Sequence, residues 1–530
     1  MSLPETYPQL LRRRARENPG AIYLERVEGG QITYGDFYQQ SLVWADALER
    51  VGVAANEQLA AMVPPGIDAA LLFAGCGWRR ARFTALNTAY RGDMLRHTLA
   101  TAQPGVMVIA SRYLPQLEGL DLADIGLHAL VVLDEDQPAL RPGLAILGRG
   151  QFLAGAVARE LDPPRPWDVA SVIYTSGTTG PSKGVLVYWA QLHATAADAT
   201  CDELTTADCW FAPLPMFHVS GQSSLYKSAL AGCRMVVREV LSITDFFADI
   251  ARFKVTGTVL LESMIGMITK QVEQGLVKPP SLRYLVLVPV PPGIDAFKAL
   301  LGVRISTMYN MTEISGPLSS NGFNVDDSLA RSCGRLRQGY QARVVDEYDY
   351  PLGPGQVGEL VLRADSPWVM TGGYLNNPAA TVAAWRNGWF HTGDLFRYDE
   401  AGRYYFVDRL KDSVRRRGEN ISSAEVENDI NAHPAVAQCA VVAARNDQGD
   451  EEVKAFIVPR QGANPDPAEI IQFLRARLPH FMVPRYLEFI ADLPRTPSQK
   501  IQKHLLRELG NSEKTWDRER AGIVIKREAP

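Results

Sequence analysis

One ten-residue stretch of the chain concentrates glycines, hydroxyls and a lysine. It reads Thr175-Ser176-Gly177-Thr178-Thr179-Gly180-Pro181-Ser182-Lys183-Gly184 and follows an apolar, β-rich run, Val169 to Tyr174. Glycines let backbone N–H groups converge on an anion, hydroxyls add donors, and the lysine adds positive charge. It is not a Walker loop, because Ser182 precedes Lys183 where glycine would stand and no Ser or Thr follows. The stretch therefore predicts a phosphate-binding loop after a buried strand, and the alternative is an ordinary surface turn.

A second polar group follows the apolar run that ends at Met308. It is the pentapeptide Tyr309-Asn310-Met311-Thr312-Glu313. Ligands of α/β proteins bind at the carboxyl ends of strands, and this is such a position. Tyr309 offers a ring face to a base, Thr312 offers a hydroxyl to a phosphate, and Glu313 offers a hard carboxylate oxygen to Mg²⁺. Taken alone, the pentapeptide is only a polar loop.

A third candidate is Asp394, which follows a glycine in the run Trp389 to Asp394. An aspartate at such a place more commonly caps a helix or stabilises a turn. A carboxylate can also accept two charge-assisted hydrogen bonds from a neutral diol such as a ribose. Both interpretations stay open on the residues alone.

Length and composition limit the possible classes of protein. A chain of 530 residues is too long for one core and predicts two or more domains. The 55 basic and 59 acidic residues nearly balance, so bulk charge gives no reason to expect a nucleic-acid or membrane partner. The six cysteines have no ligand-like spacing, which indicates reduced thiols in a cytoplasmic protein without zinc. We expect no signal peptide, and no apolar run reaches the ~20 residues of a membrane-spanning helix.

The elements that must position these residues follow from hydrophobic patterning. Apolar strands alternate with helical stretches over 58–133 and again over 235–308, which predicts parallel sheets covered by helices. From 340 onward short β segments separated by Gly/Pro turns predict a small β-barrel-like subdomain. Beyond 408 an α-β-β-α order predicts a separate α+β lid. The charged residues Asn511 to Pro530 are expected to be loosely held.

Together with two later motifs, these stretches closely resemble the signature of the adenylate-forming superfamily, which comprises acyl-CoA synthetases, peptide-synthetase adenylation domains and luciferases. The later motifs are Arg409-Leu410-Lys411 and Leu493 to Ile501, and the resemblance covers nearly the whole chain. It implies an α/β fold with an α+β lid. The N-terminal adenylation domain (1–408) would hold two parallel α/β sheet subdomains and the β-barrel-like subdomain. A hinge (409–412) would lead to a small mobile C-terminal domain (413–530).

The resemblance also implies roles for individual residues. The glycine-rich loop would close over the β- and γ-phosphates of ATP, and Asp394 would accept both ribose hydroxyls, with Arg409 on the same sugar. The catalytic residues would be Lys500, Thr178 and Glu313, with Glu313 as the Mg²⁺ ligand. The nucleotide-binding set would be Thr175, Ser176, Gly177, Thr178, Thr179, Gly180, Lys183, Tyr309, Asn310, Met311, Thr312, Asp394 and Arg409.

Lid and acyl-pocket roles are implied in the same way. Lys411 would be the hinge residue, and Gly418, Glu419 and Asn420 would belong to the loop that enters the site for thioester formation. The adjacent run of arginines, 415–417, is either a solvated patch or a contact for CoA phosphates. Lys500 follows Gln499, where relatives usually have glycine. Family members border the acyl pocket with an aromatic or histidine side chain, which assigns this pocket to His218, Val219, Ser220 and Gly221.

The implied activity is that of an AMP-forming carboxylate–CoA ligase using ATP, Mg²⁺ and coenzyme A. Its partners would be a small carboxylic acid and these cofactors, with the protein a monomer or homodimer. Details at 418–420, 434–458 and 482–488 look most like the crotonobetaine/carnitine–CoA ligase branch. One alternative is an adenylate-forming enzyme that passes the acyl group to an amine or a carrier protein. The other is a non-catalytic nucleotide-binding regulator on the same fold.

Overall fold

The computed structural model describes residues 3–122, 124–134, 144–175, 182–212, 214–416, 419–446, 448–495, 501–523 and 525, with the backbone alone at 263, 415, 419 and 420. The helices in these ranges are α1 (Tyr7–Glu17), α2 (Tyr34–Arg50), α3 (Ile67–Trp78), α4 (Gly92–Ala102), α5 (Arg149–Leu153), α6 (Trp189–Ala196), α7 (Val219–Ala231), α8 (Phe246–Phe253), α9 (Glu262–Glu273), α10 (Ile294–Leu301), α11 (Pro378–Ala384), α12 (Ser423–Asn431), α13 (Pro467–Arg475) and α14 (Lys503–Glu508).

The strands of the N-terminal part are β1 (Ile22–Arg26), β2 (Gln31–Thr33), β3 (Gln58–Met62), β4 (Arg82–Ala85), β5 (Val106–Ile109), β6 (Ala129–Val132), β7 (Ala145–Gly148), β8 (Val169–Thr175), β9 (Lys183–Tyr188), β10 (Cys209–Ala212), β11 (Arg234–Val237), β12 (Gly257–Leu261), β13 (Tyr284–Val288) and β14 (Arg304–Ser306). The remaining strands are β15 (Met308–Tyr309), β16 (Leu318–Ser319), β17 (Ser332–Leu336), β18 (Tyr340–Val345), β19 (Gly358–Ala364), β20 (Trp385–Arg386), β21 (Trp389–Tyr398), β22 (Arg403–Arg409), β23 (Val414–Arg416), β24 (Glu419–Ile421), β25 (Val436–Arg445), β26 (Glu451–Pro459), β27 (Tyr486–Phe489) and β28 (Trp516–Asp517).

Two seven-stranded sheets form the α/β body. One has the order β7-β6-β5-β3-β4-β8-β9 and the other β14-β13-β12-β10-β11-β1-β2. Each is parallel except at one edge, where β9 pairs antiparallel with β8 and β2 with β1. The predicted parallel sheets are therefore confirmed, and each carries an antiparallel edge strand.

A continuous apolar core lies between the two sheets. It includes side chains of α1, α2, α3, α6 and α7 and of strands from both sheets. Trp44, Trp189 and Trp210 are almost completely buried in it. Separate apolar clusters cover the outer faces of the sheets, one with α8, α9 and α10 and one with α4. The body is thus layered, and the carboxyl ends of its strands are held in place by packing on both faces.

A third sheet follows the α/β body. Its eight strands pair antiparallel in the order β15-β16-β17-β22-β21-β19-β18, with β20 on β21. The first of these strands, β15, ends at Tyr309, which is the first residue of the predicted pentapeptide. The sheet therefore brings the pentapeptide, Asp394 on β21 and Arg409 on β22 onto one framework.

The lid is built from the elements that follow β22. Its four-stranded sheet has the order β25-β26-β27-β28, and the hairpin β23–β24 packs beside it. Helices α12, α13 and α14 complete this α+β unit. The fold class predicted from the sequence, a large α/β part with a smaller α+β part, is confirmed.

The C-terminal residues differ from the sequence-based expectation. Trp516–Asp517 forms β28, which pairs antiparallel with β27. Arg518 is 3% exposed and lies at the lid core. The expectation that 511–530 is loosely held is therefore wrong for 516–518, because an added strand and a buried ion pair fix these residues.

All six cysteines are free thiols, and five of them are buried, with Cys333 half-buried. Burial raises the pKa of each thiol, to about 11 for Cys201 and about 12 for Cys333. Among the described residues, no helix is both long enough and apolar enough to pass through a bilayer.

Candidate functional site

The site begins where β8 ends at Thr175 and β9 starts at Lys183. The loop residues Ser176, Gly177, Thr178, Thr179 and Gly180 lie outside the described residues. Strand β9 is bound on its free side by a distant segment, since Leu186 N donates to Gly373 O at 3.1 Å and Leu375 N donates to Gly184 O at 2.7 Å. This pairing brings Lys183 Nζ to 4.9 Å from the centre of the Tyr374 ring. The segment 371–375 therefore forms one wall beside β9 and Lys183.

Glu313 lies against this wall. Its carboxylate Oε1 accepts a hydrogen bond from the Tyr374 hydroxyl at 3.0 Å, and its carbonyl accepts one from Thr371 N at 2.8 Å. Glu313 is 6% exposed, and burial raises its pKa while Tyr374 and the charge of Lys183 act in the opposite direction. A buried carboxylate is thus held by Tyr374, whose ring Lys183 also contacts.

A second polar cluster joins Tyr309, Asp394 and Arg409. The Tyr309 hydroxyl donates to Asp394 Oδ2 at 2.7 Å, and Arg409 Nε lies 3.6 Å from Asp394 Oδ1. Asp394 and Arg409 are directly opposite each other on β21 and β22. Burial raises the pKa of Asp394, and the charge of Arg409 opposes this shift. The Tyr309 ring itself is buried and packs edge-on against Phe396 at 4.8 Å.

Other residues fix the pentapeptide loop that joins the two clusters. Gln191 on α6 is fully buried, and its Nε2 donates to Thr312 O at 2.8 Å. Asn310 Oδ1 accepts from Gly316 N at 2.9 Å. Arg337 donates to the carbonyls of Ser315 and Gly316, both at 3.0 Å, and to carbonyls at the end of α6. The loop is therefore anchored to α6 on both sides of Glu313.

Sequence reasoning missed Tyr374, Gln191 and Arg337. One local signal was available for the first of them, the glycine pair that precedes Tyr374. Gly373 has a φ of +145°, and a Cβ there would lie 2.5 Å from Thr381 Cγ2, so only glycine fits. Gln191 and Arg337 act by long-range contacts that leave no pattern in the sequence.

The predicted acyl-pocket residues begin α7 at the carboxyl end of β10. His218 is the N-cap residue, and Val219 is the first helical residue. A Cβ on Gly221 would lie 2.3 Å from Pro215 O, so the backbone fills that space. The missing side chain of Gly221 therefore serves the turn before α7 and does not open space for a substrate. Ser220 is half-buried on the first turn of the helix.

The connection to the lid is short and polar. Asp408 Oδ2 accepts hydrogen bonds from Ser423 N at 2.5 Å and Ser423 Oγ at 2.8 Å, so it clamps the start of α12. Asp412 pairs with Arg507 of α14. Lys411 is half-buried, and burial lowers its pKa to about 8, with the charge of Arg409 acting in the same direction. Lys411, the predicted hinge residue, is thus less solvated than an exposed lysine.

Two of the predicted lid residues, Lys500 and Gly418, lie outside the described residues. Glu419 and Asn420 are described by their backbone alone, within β24. Four residues separate the hairpin they belong to from the last residue of β22.

The described residues also bear on a metal ion. No group of three or more His, Cys, Asp or Glu side chains with metal-binding geometry occurs among them. Glu313 would supply a single carboxylate, which suits Mg²⁺, because this ion keeps several waters and takes only one or two carboxylates together with substrate phosphates. The residues present fit a magnesium ion that arrives with a nucleotide.

Comparison with known proteins gives two family matches. The family model described as AMP-binding enzyme matches residues 11–375. The model described as AMP-binding enzyme C-terminal domain matches residues 425–500. Together they span both the α/β body and the lid.

Curated relatives align over nearly the full length. A 2-succinylbenzoate–CoA ligase from Bacillus cereus is 28% identical over 513 residues, covering 95% of this chain and 99% of the relative. A crotonobetaine/carnitine–CoA ligase from Salmonella paratyphi A is also 28% identical, over 498 residues, covering 92% of this chain and 95% of the relative. Two relatives named for different acids thus have the same sequence identity to this chain.

Solved structures share the fold. The O-succinylbenzoate CoA synthetase from Bacillus subtilis in complex with AMP superposes with a TM-score of 0.82 at 23% identity, covering 96% of this chain and 99% of that chain. ATP-bound MatB from Rhodopseudomonas palustris superposes with a TM-score of 0.83 at 24% identity, covering 95% and 99% of the two chains.

Proposed function

This chain belongs to the AMP-binding enzyme family, and on that premise we propose that it is an ATP-dependent acid–thiol ligase. It adenylates a carboxylic acid with release of pyrophosphate and transfers the acyl group to coenzyme A with release of AMP. The observation that carries the proposal is the pair of adjoining clusters, Tyr309–Asp394–Arg409 and Glu313–Tyr374–Lys183. Tyr309 and Glu313 are the first and last residues of one pentapeptide, so the two clusters adjoin.

The first half-reaction uses the body of the protein. A substrate carboxylate oxygen attacks the α-phosphorus of ATP, a C–O–P linkage forms, and the bond to the β-phosphate breaks. Asp394 holds the ribose hydroxyls, and Lys183 with the glycine-rich loop holds the leaving pyrophosphate. Glu313 holds Mg²⁺, which neutralises phosphate charge. Lys500 donates to the oxygens on which negative charge gathers.

The second half-reaction uses the lid. The thiol of coenzyme A attacks the acyl carbon, a C–S bond forms, and AMP leaves with the electrons of the C–O bond while the thiol proton passes to solvent. We assign the hinge to Lys411 and the wall of the thiol's entry path to Gly418, Glu419 and Asn420. No side-chain nucleophile is required, because the adenylate already carries a good leaving group.

The test is a purified-protein assay with a panel of acids that includes 2-succinylbenzoate, crotonobetaine and carnitine. Acid-dependent exchange of pyrophosphate into ATP, followed by AMP release that depends on coenzyme A, is the expected result. AMP release that depends instead on an amine or a carrier protein would favour the transfer alternative. Absence of exchange with every acid would favour a nucleotide-binding regulator. Free, mostly buried cysteines support our proposal of a cytoplasmic location.

We expect Tyr374→Phe to lower the apparent affinity for Mg²⁺ without abolishing catalysis. The substitution removes the hydroxyl that orients the Glu313 carboxylate, and loss of such an outer partner typically costs about 10–100-fold in metal affinity. Titration of pyrophosphate exchange with Mg²⁺ measures this shift. Tyr398→Phe is the control, because its hydroxyl donates to Leu352 O at 3.1 Å within the third sheet. An unchanged Mg²⁺ titration for Tyr374→Phe would contradict the assignment of Glu313.

His218→Ala should change the choice of acid more than the use of ATP. We place His218, Val219 and Ser220 on one wall of the acyl pocket at the carboxyl end of β10, where α7 begins. Because a pocket contact is worth ~1–3 kcal/mol, the ratio of kcat/KM between two acids should move by about 10–200-fold. KM for ATP should stay constant, and His433→Ala in the lid provides the control. A ranking of acids unaltered by His218→Ala would show that His218 only packs.

A further inference from the structure

The hairpin β23–β24 is fastened to the lid by a buried arginine. Arg416, the last residue of β23, is 7% exposed, and its Nε lies 2.5 Å from Oε2 of the fully buried Glu452. Its Nη1 also donates to Phe481 O at 2.8 Å. Val414 and Ile421, on the two strands of the hairpin, belong to the apolar core of the lid. The orientation of the hairpin therefore depends on how Glu452 is held.

Glu452 is connected to the C-terminal segment through Arg485. Arg485 Nη1 lies 3.8 Å from Glu452 Oε1, and Arg485 makes two hydrogen bonds to Asp517, Nε to Oδ1 at 3.3 Å and Nη2 to Oδ2 at 3.1 Å. Arg518 N donates to Arg485 O at 2.9 Å. Burial lowers the pKa of the Arg518 guanidinium, and the charge of Arg416 acts in the same direction. An ionic network thus runs from the C-terminal segment to the hairpin.

The same segment, 510–523, is fixed at further points and is here called the C-terminal strap. Lys454 is fully buried, and its Nζ donates to Gly510 O at 2.6 Å and Thr515 Oγ1 at 2.9 Å, while also pairing with Glu488 at 2.7 Å. Trp516 and Ile523 pack against the apolar cluster that contains the hairpin's valine and isoleucine. Buried charges tolerate little displacement of their partners, so the strap and the hairpin are mechanically linked.

We propose that the C-terminal strap positions the β23–β24 hairpin for acyl transfer, through Asp517, Arg485, Glu452 and Arg416. These four are positioning residues, since none of them is assigned a contact with the reacting atoms. The inference rests on the proposed function, in which the hairpin lines the path of the thiol. It adds that residues at the end of the chain, after Lys500, control the second half-reaction.

The test compares the two half-reactions in full-length variants. Asp517→Asn keeps the shape of the side chain and removes its charge. We expect acyl transfer from supplied acyl-adenylate to coenzyme A to fall by about 10–100-fold, because small misplacements of positioning groups cost that much. Acid-dependent pyrophosphate exchange should be unchanged. Arg416→Lys should give the same split, since lysine does not reproduce the fixed fork of arginine. In the double variant, the loss of acyl transfer should be smaller than the product of the two single losses, because both residues act through one network.

Two control variants separate positioning from general loss of stability. Lys514→Ala alters an exposed side chain of the strap, and both half-reactions should be normal. Asp466→Ala removes the N-cap of α13 in the lid, where Asp466 Oδ1 accepts from Ala468 N at 2.9 Å, and leaves the strap and the Arg416–Glu452 pair intact. It should lower the thermal unfolding temperature of the protein without the selective loss of acyl transfer.

Amide hydrogen exchange gives a readout independent of activity. Asp517→Asn should speed exchange at 414–421 and leave the β25 amides protected. Unchanged exchange in the hairpin, or an equal loss of both half-reactions, would overturn the role of the strap. If the unaltered protein forms no adenylate with any acid, the proposed function fails, and the exchange result alone decides whether the strap orients the hairpin.

Discussion

Lys500→Ala is expected to slow acid-dependent pyrophosphate exchange by about 10²–10³-fold, the effect of removing one preorganised donor from a developing anion. The assigned Lys500 donates to oxygens on the α-phosphate and the acyl group as charge gathers there. Once the adenylate exists, that role is finished. Transfer of the acyl group from supplied acyl-adenylate to coenzyme A should therefore survive in this variant.

The experiment measures each half-reaction separately in rapid-mixing assays. Lys514→Ala is the matched control, because it removes another lysine of the C-terminal part whose side chain is exposed. An equal loss of both half-reactions in Lys500→Ala would contradict the division of the reaction between two lid positions. A loss confined to acyl transfer would move Lys500 to the second step.

Lys411→Pro should produce the opposite separation. Proline fixes φ near about −65°, which freezes the backbone torsion assigned to lid movement. Adenylate should form and accumulate, while acyl transfer slows by about 10²-fold or more, because misplacing reacting groups even slightly costs that much. Single-turnover assays with a radiolabelled acid would reveal the trapped adenylate.

Lys411→Ala serves as the control, since it removes the half-buried ammonium without fixing the backbone. Overall turnover should be affected far less than in the proline variant. Normal turnover of Lys411→Pro would place the pivot at another residue of the link between β22 and β23. Loss of adenylation in both variants would show that the Lys411 side chain acts on Asp394, because the charge of Lys411 lowers the pKa of Asp394.

Much of the architecture could be predicted because local patterns determine it. The helical stretches predicted between the strands of 58–133 are found as α3 and α4. Pairing between distant segments could not be predicted in the same way. Strand β9 was missed because it follows the glycine-rich loop directly and pairs antiparallel with β8. The strand Ile22–Arg26 pairs with Arg234–Val237 across two hundred residues, and only the tertiary fold decides that contact.

For the site, motifs identified most residues of the two clusters but not what holds them. The structure places Tyr309, Asp394 and Arg409 together, with Asp394 and Arg409 on the adjacent strands β21 and β22 and Tyr309 on β15 of the same sheet. Their nucleotide-binding roles stay predictions. The partner of Glu313, Tyr374, lies sixty-one residues further along the chain. The assignments of Lys500 and of the glycine-rich loop stay predictions. Burial also determines ionisation, and spacing gives no indication that Lys411 would be half-buried.

The buried thiols have a consequence for chemical selectivity. An acyl-adenylate acylates whichever nucleophile reaches it first, and a thiolate is among the fastest. None of the six cysteines supplies one, because burial raises the pKa of every thiol, to about 11 for Cys209 and about 12 for Cys233. Self-acylation at sulfur is thereby suppressed, and the activated acid is reserved for an incoming thiol. For the same reason, a thiol-specific chromogenic reagent added to the native protein would report consumption of coenzyme A with little background from the protein itself.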